Sequence, residues 1–233
     1  MSDFEISPRN RLLSALSSQA YQSLLPDLQA VSLTSGEILH KSLESAKDIY
    51  FPETAVFSLT IDTADGSISE ILSIGKEGIV GLPAIFGDRC LATNSIVLLS
   101  GTAWKIESSV ARRHFYDGGE FQMLTLLYTQ AYIAHASHIS ACNSLHTIEQ
   151  RLARFLLLVQ DTIEQETLPL TQKIISLMLG VRRASITETA IYLQSQKIIK
   201  YSRGKITILD RSRLEAIACE CYAQIERNYR TLF

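Results

Sequence analysis

The stretch LTQKIISLMLGVRRASIT, residues 170–187, decides the fold of the C-terminal part of the chain. Thr171 can cap a first helix by accepting backbone N–H bonds, and Gly180 permits the left-handed turn that ends it. Ile175 and Leu179 lie one helical turn apart and give this helix an apolar inner face. The stretch therefore predicts two short helices that are joined by a tight turn and share a small core.

A predicted hairpin follows these two helices. Residues 198–201 and 206–209 are apolar or β-branched runs, and the turn between them, SRGK, carries a basic residue on each side of its glycine. This order of elements is typical of a winged helix-turn-helix, which places its second helix in the major groove of DNA and its wing over the phosphate backbone. The residues expected to contact DNA are Thr171, Arg182, Arg183, Ser185, Thr187, Glu188, Ser202, Arg203 and Lys205.

Charge and composition agree with a globular protein whose C-terminal part meets a polyanion. The net charge is −2, but residues 151–233 hold 13 Lys and Arg against 8 Asp and Glu, whereas residues 1–150 hold 9 against 16. The alternative for the basic module is a contact with another protein. No apolar run is long enough to span a bilayer, and the N-terminus lacks the basic start and apolar core of a signal peptide. We therefore expect a cytoplasmic protein without a membrane partner.

Residues 31–106 have the texture of an all-β domain. Short apolar or alternating runs, such as VFSLTI at 56–61 and SIVLL at 95–99, are separated by turn signals such as ADG at 64–66. This spacing predicts a meandering antiparallel roll or barrel.

Residues 120–145 predict one long helix, because they contain neither glycine nor proline. Apolar and small residues recur in them with heptad spacing, which favours a two-stranded coiled coil and hence a homodimer. The alternative is a helix that packs on its own domain. The predicted dimer seam consists of Leu124, Leu127, Ala131, Ala134, His138, Ala141 and Leu145.

The whole chain resembles the Crp/Fnr family of transcription regulators. Residues 178–183 (MLGVRR), 201–210 (YSRGKITILD) and 219–222 (CECY) are similar to one branch of that family. GKEGIVGLP at 75–83 lies where the family's β-roll has its phosphate-binding cassette.

The resemblance implies an α+β fold in three parts: a jelly-roll-like antiparallel β-roll sensor domain at 1–118, a dimerisation helix at 119–147 and a winged helix-turn-helix at 148–233. It also implies a bacterial homodimer whose partners are a palindromic operator in double-stranded DNA and RNA polymerase. Arg183 resembles the residue with which the family reads bases, and a guanidinium suits the two acceptors of guanine.

The candidate effector pocket departs from the family members that bind cyclic AMP. In those members a Glu follows the first cassette glycine and grips the ribose, and a later Arg neutralises the phosphate. Here Ile79 follows Gly78, and residues 91–95 contain no Arg, although Arg89 lies nearby in the sequence. A buried phosphate without a cationic partner is costly, so we expect no cyclic AMP binding. The candidate pocket residues are Gly78, Ile79, Val80, Gly81, Leu82, Arg89, Thr93 and Asn94.

Other effectors and other chemistry stay open as alternatives. A regulator of this kind could sense haem or a gas through His40, His114, His135 or His138, could sense another small molecule, or could be a cyclic-nucleotide-binding module. No catalytic residue pattern is present, so we expect no enzyme.

The four cysteines suggest no metal site at the level of sequence. None belongs to a CxxC pair, and Cys219 and Cys221 on one helix would point in different directions. We therefore interpret all four as buried structural residues and expect no metal and no cofactor.

Overall fold

The computed structural model describes residues 8–64, 66, 68–87 and 91–232. It has the expected α+β fold, with antiparallel sheets first, then a long helix, then a helical module with a small sheet. The N-terminal elements are α1 (Arg11–Ser14), α2 (Ser18–Leu24), a 3-10 turn (Leu25–Asp27), β1 (Gln29–Leu33), β2 (Ile38–His40), β3 (Asp48–Pro52), β4 (Val56–Asp62), β5 (Ile68–Ile74), α3 (Pro83–Phe86), β6 (Asn94–Leu99), β7 (Gly101–Glu107) and α4 (Ser108–Tyr116). The C-terminal elements are α5 (Gly119–Leu145), α6 (Ile148–Ile163), β8 (Thr167–Leu168), α7 (Gln172–Leu179), α8 (Arg183–Ser195), β9 (Ile199–Ser202), β10 (Lys205–Ile208), α9 (Arg211–Ile217) and α10 (Cys221–Arg230).

Two antiparallel sheets form the β-roll, with strand orders β1-β7-β3 and β2-β6-β4-β5. Phe57 and Leu59 of β4 lie opposite Ile74 and Leu72 of β5, and all four side chains are buried. Because successive side chains point to opposite faces of a strand, one face of the sheet points into the interior of the roll. The antiparallel β domain predicted for residues 31–106 is confirmed.

The buried residue Asn10 joins the N-terminal segment to the cassette loop, residues 75–83, through hydrogen bonds of its side chain. The side-chain oxygen of Asn10 caps α1 by accepting from the backbone N–H of Leu13. Its amide group donates to the carbonyl oxygens of Pro52, at 3.1 Å, and Gly78, at 2.9 Å. All of its polar side-chain atoms are therefore paired in a site without solvent.

The long helix α5 confirms the prediction of one uninterrupted helix over residues 120–145. Its inner face packs on the β-roll, and Tyr128 at its centre is fully buried. The Tyr128 hydroxyl donates to the carbonyl oxygen of Ile79 at 3.4 Å. A Cβ atom added at Gly78 would lie 2.3 Å from this hydroxyl oxygen, so the helix fits against the cassette only because residue 78 is glycine.

A second hydrophobic core holds the C-terminal module together. Helix α6 starts at a capping box made by Thr147 and Gln150. Its apolar face, including Phe155 and Leu156, packs in one cluster with α7, α8, the small sheet β8-β10-β9 and residues of the β-roll such as Val56. The C-terminal module is therefore not separate from the roll, since the two share buried apolar surface.

A buried carboxyl group lies where β5 faces α6. Glu70 accepts a hydrogen bond from the Ser58 hydroxyl at 3.0 Å. Burial raises the pKa of Glu70 to about 7, although the Ser58 hydrogen bond and the charge of Arg154 oppose this shift.

Within the described residues, no helix is both long and apolar enough to cross a membrane.

The turn into β7 tolerates no side chain at Gly101. A Cβ atom added there would lie 2.4 Å from the backbone nitrogen of Ala55 and 2.5 Å from the carbonyl carbon of Thr54. Both are backbone atoms that cannot rotate away, because the N–H groups of residues 53–55 are held by the carbonyl oxygen of Thr102.

We predict that Gly101→Ala lowers the free energy of unfolding by about 1–3 kcal/mol, because the backbone of one strand must shift to admit the methyl group. Gly87→Ala is the matched control, since Gly87 has extended backbone and nothing lies within 4 Å of its added Cβ atom. Urea unfolding monitored by circular dichroism measures both variants. Equal unfolding midpoints for the two variants would contradict the prediction.

Candidate nucleic-acid interface

The turn between α7 and α8 has the geometry that the sequence predicts. Thr171 caps α7 by accepting from the backbone N–H of Ile174 at 3.2 Å. Gly180 adopts φ +60° in the left-handed region, and the N–H of Val181 donates to the carbonyl oxygen of Ser176 at 3.0 Å. The buried guanidinium of Arg151 donates to the carbonyl oxygen of Leu179 and so satisfies another group at the end of α7.

The start of α8 presents basic side chains to solvent. Arg182 is the N-cap residue, Arg183 is the first residue of the helix, and both are exposed. The backbone N–H groups at this end carry the positive end of the helix dipole, which favours phosphate. Ile186, one turn inward, is fully buried and fixes the helix on the core of the module.

The side chain and backbone of Gln172 join the three parts of the interface. The Thr187 hydroxyl on α8 donates to Gln172 Oε1 at 3.0 Å, and the backbone N–H of Gln172 donates to the Tyr201 hydroxyl on β9 at 3.4 Å. The first helix, the second helix and the wing are thereby held in one arrangement. Gln172 was not among the residues predicted from the sequence, where its place directly after the capping residue Thr171 is the one local signal that points to it.

The wing ends in a two-residue turn whose glycine lies near α7. Arg203 and Gly204 have φ +48° and φ +78°, the left-handed pair of a tight hairpin that matches the twist of its strands. A Cβ atom added at Gly204 would lie 3.3 Å from Thr171 Cγ2, so the wing turn is next to the start of α7. The exposed residues Ser202, Arg203 and Lys205 surround this turn.

Most of the predicted contact residues are accessible, but Thr187 also has internal partners. Thr171, Arg182, Arg183, Glu188, Ser202, Arg203 and Lys205 are exposed, and Ser185 and Thr187 are half-buried. The Thr187 hydroxyl is within donor distance of both Gln172 and the carbonyl oxygen of Arg183. Further along α8, the structure adds two exposed apolar residues that the sequence analysis did not name, Ile191 and Tyr192.

The structure divides the predicted dimer seam between two faces of α5. Leu124 and Ala131 are 6% and 5% exposed, because they pack into the core of the chain's own β-roll. The heptad spacing alone could not separate this inner face from an outer one. The other predicted seam residues keep exposed surface: Leu127, Ala134, His138, Ala141 and Leu145.

The cassette residues form an apolar, internally bonded loop. Ile79, Val80 and Leu82 are buried, and both backbone hydrogen-bonding groups of Val80 pair with Tyr50. Gly81 adopts φ +88° beside His40. Arg89 lies outside the described residues.

The polar residues expected across the pocket are also used by the chain itself. The Asn94 side-chain oxygen accepts from the backbone N–H of Ser42 at 2.9 Å, and its amide group donates to Asp62 at 3.0 Å. Thr93 is half-buried. A phosphate at Asn94 would therefore have to displace two bonds and approach a carboxylate.

Three of the four histidines that could bind haem have protein partners: His40, His114 and His135, the last of which contacts the Tyr229 hydroxyl at 3.1 Å. His40 contacts the Ser95 hydroxyl at 3.1 Å and the carbonyl oxygen of Asp48 at 2.8 Å, and burial lowers the pKa of His40. His114 contacts Asp27 at 2.9 Å. Burial lowers the pKa of His135 to about 3, and the charge of Arg154 acts in the same direction. His135 borders a cavity of only about 50 Å³, room for water rather than for a haem.

Three of the four cysteines converge, which differs from the sequence-based expectation. Cys219 lies between α9 and α10, whereas Cys221 is the first residue of α10. Because the two residues are not on one continuous helix, their thiols can point the same way. Cys142 and His146 at the end of α5 complete the cluster. Cys90 lies outside the described residues.

Comparison with protein families gives one match within the C-terminal module. Residues 150–217 match the Crp-like helix-turn-helix domain. No curated protein matches the sequence significantly.

Solved structures match over nearly the whole chain. A protein described as a transcriptional regulator of the Crp/Fnr family from Eubacterium rectale has a TM-score of 0.70 at 20% identity, covering 90% of this chain and 98% of its own. FixK2 from Bradyrhizobium japonicum has a TM-score of 0.71 at 16% identity, covering 82% and 98%. A c-di-GMP-responsive global regulator from Xanthomonas campestris has a TM-score of 0.65 at 11% identity, covering 82% and 99%.

At these identities the structural matches establish the fold, and the domain match covers the module that carries Arg182, Arg183 and the wing. The exposed basic start of α8 and the wing both lie within the segment that matches this domain. The chain therefore contains a Crp-like helix-turn-helix domain at residues 150–217, and it shares the fold of a solved structure described as a Crp/Fnr-family regulator.

Proposed function

We propose that the protein is a homodimeric, sequence-specific regulator whose β-roll does not respond to cyclic AMP. The proposal divides the chain into an effector-type domain at 1–118, a dimerisation helix at 119–147 and a DNA-binding domain at 148–233. The observation that carries it is the fixed arrangement of α7, α8 and the wing, with exposed Arg182, Arg183 and Lys205 on its surface.

In this proposal Arg183 is the residue that recognises bases in the major groove. Its guanidinium stands exposed at the N-terminal end of α8, the end that enters the major groove in helix-turn-helix proteins. Glu188, exposed one turn further along, restricts the sequence because a carboxylate accepts from a cytosine amino group and repels phosphate. Thr171, Arg182, Ser185, Thr187, Ser202, Arg203 and Lys205 contribute backbone contacts.

We predict that Arg183→Ala weakens binding to the preferred operator by about 1–3 kcal/mol and relaxes discrimination at one base pair in each half-site. Lys205→Ala should weaken binding to all sequences alike, and it should reduce the slope of log K against log salt by about 0.9 for the lost phosphate contact. Selection from a random DNA library, followed by salt-titrated binding of both variants, measures the difference. Identical specificity and salt profiles for the two variants would remove the case for base reading by Arg183.

A second copy of the chain fits the outer face of α5. Met123, Leu126, Leu127 and Ile133 are 53%, 51%, 37% and 59% exposed, and they follow one another along the helix opposite the face that packs on the roll. An exposed apolar stripe on a helix about 40 Å long matches the seam of a two-stranded coiled coil. A dimer formed there would present two α8 helices to DNA. The two helices would enter successive major grooves, which are about 34 Å apart on one side of DNA.

This proposal revises the seam expected from sequence. Leu124 and Ala131 leave the seam because they belong to the core of their own chain. The other predicted residues stay in it because they keep exposed surface, and three exposed residues join it: Leu127, Ala134, His138, Ala141 and Leu145 stay, and Met123, Leu126 and Ile133 join. A charge at Leu124 would therefore disturb folding rather than report on association.

We predict that Leu127→Asp combined with Ile133→Asp gives a folded monomer, because four carboxylates would meet in the seam of each dimer. Leu43→Asp is the control, since Leu43 is 80% exposed and lies in a loop of the β-roll. Light scattering coupled to gel filtration gives the mass of each variant. A monomeric wild-type protein, or a dimeric double variant, would overturn the proposed seam.

Insensitivity to cyclic AMP is supported by the composition and bonding of the cassette. Ile79 is fully buried where a ribose-binding carboxylate would be needed, and Asn94 is bonded to Ser42 and Asp62. A charged phosphate brought into this environment would lose its hydration without gaining a cation.

We predict that cyclic AMP leaves the melting temperature unchanged within about 1 °C, because a ligand stabilises a protein only by binding its native state. Binding at about 100 times the dissociation constant would instead raise it by roughly 5–10 °C. Cyclic di-GMP is measured in parallel, since one structural neighbour responds to it, and 5′-AMP is the control nucleotide. A saturable shift with cyclic AMP would contradict the prediction.

A further inference from the structure

Four side chains that DNA binding does not use lie together at the end of α5. Cys142 lies in the last turn of this helix and His146 directly follows it as the C-cap residue, whereas Cys219 lies between α9 and α10 and Cys221 begins α10. Their three sulfur atoms and one imidazole nitrogen all lie within 4.8 Å of one another. The three cysteines are buried, and they form a cluster apart from the two large hydrophobic cores.

The spacing of these atoms fits a single tetrahedral metal ion. The sulfur atoms of Cys142 and Cys219 are 3.4 Å apart, and Cys221 Sγ is 3.7 Å from His146 Nδ1. Around Zn²⁺, with bonds of about 2.3 Å to sulfur and about 2.0 Å to nitrogen, tetrahedral ligand atoms are separated by roughly 3.5–3.8 Å. These two separations therefore need only small adjustments to fit a zinc ion.

The surroundings of His146 are those of a metal ligand. Its Nε2 atom is 3.2 Å from Glu220 Oε1, which leaves Nδ1 directed at the sulfur atoms. A histidine that binds a metal through one nitrogen commonly donates its other N–H to a carboxylate, which orients the ring and strengthens the ligand. Glu220 lies between Cys219 and Cys221 in the sequence, so one short segment supplies two ligands and this partner.

Two buried arginines supply the charge that a thiolate site needs. Three thiolates and one Zn²⁺ carry a net charge of −1, and Arg151 and Arg154 are 8% and 4% exposed. The Nε atoms of both side chains find no hydrogen-bond partner within the described part of the chain. The charge of Arg154 acts on Cys142, and the charge of Arg151 acts on both Cys142 and Cys219, so both arginines lie within electrostatic range of the cluster.

We propose that Cys142, His146, Cys219 and Cys221 form a Zn²⁺ site that ties the end of α5 to the start of α10. Four protein ligands leave no open position for substrate, so the role of the ion is structural. Thiolate and imidazole together select zinc over magnesium or calcium, and the compact spread of the four atoms accommodates one ion rather than an iron–sulfur cluster.

The site would fix the position of the DNA-binding module. It joins residues 142 and 219, which are 77 positions apart in the sequence, at the boundary between the long helix and the last two helices. Because the ion binds the folded chain, it would add stability to this boundary. The proposal does not depend on which DNA sequence the protein reads.

The first test is the metal content of the full-length protein without an affinity tag. The protein is expressed in zinc-supplemented medium and purified with a reductant but without chelator, and its metals are counted by mass spectrometry. We expect about one zinc per chain. Replacement by Co²⁺ should produce the visible bands of a tetrahedral ion with thiolate ligands.

Variants then assign the ligands. Cys219→Ser and His146→Ala should each reduce zinc to about a tenth of the wild-type content. His114→Ala should keep it, because His114 lies on α4, contacts Asp27 and belongs to neither the cluster nor the dimer seam. Because a ligand variant can fail to fold, Glu220→Gln provides a test that keeps all four ligands. Its zinc affinity, measured by competition with a coloured chelator, should fall about 10-fold.

The proposal is overturned by less than about 0.1 zinc per chain in the wild-type protein, or by iron with sulfide in its place. It is also overturned if Cys219→Ser folds and retains as much zinc as His114→Ala, since the ion would then be bound elsewhere. A wild-type affinity in Glu220→Gln would remove the proposed role of Glu220.

Discussion

The contacts of Tyr128 are the constraint on which the arrangement of the three parts depends. Its ring is fully buried, its hydroxyl reaches the carbonyl oxygen of Ile79 in the cassette loop, and it stacks on Tyr229 of α10 at a centroid distance of 6.3 Å. One side chain on the long helix thus touches both the β-roll and the last helix of the chain. Its hydroxyl must stay bonded because water cannot reach it.

The packing of the helices on the cassette loop requires glycine at two positions of the loop. Any side chain at Gly78 would collide with Tyr128, and a Cβ atom added at Gly75 would lie 2.1 Å from Thr162 Cγ2 on α6. The cassette loop is thus a packing surface for two helices. A change in this loop would therefore be transmitted to α5 and α6 by steric contact, whether or not a small molecule causes it.

The parts of the fold with local signals could be predicted from the sequence. The strands follow from alternation, α5 from the absence of glycine and proline, and the turn at Gly180 from the need for a left-handed residue. The heptad pattern, in contrast, predicted a seam but assigned Leu124 to it, because periodicity gives a spacing and not the direction of each face.

Contacts between distant segments account for what the sequence could not reveal. Cys142 and Cys219 meet only after α9 and α10 have folded back on α5, and no local spacing encodes that meeting. The role of Gln172 depends likewise on Thr187 and Tyr201, which reach it from α8 and β9. The resemblance to the Crp/Fnr family predicted the DNA-binding module, but it predicted none of these contacts between distant segments.

The return of α10 to α5 has a consequence for modularity. The segment that matches the Crp-like domain ends at residue 217, whereas Ile225 and Tyr229 beyond it are buried against the long helix and the β-roll core. A fragment that ended at residue 217 would lack α10. A chimaera that received only residues 150–217 would pair this segment with the last helix of the receiving protein, which is not its own. The structural unit that would have to be exchanged is therefore larger than the matched domain, and it includes α10.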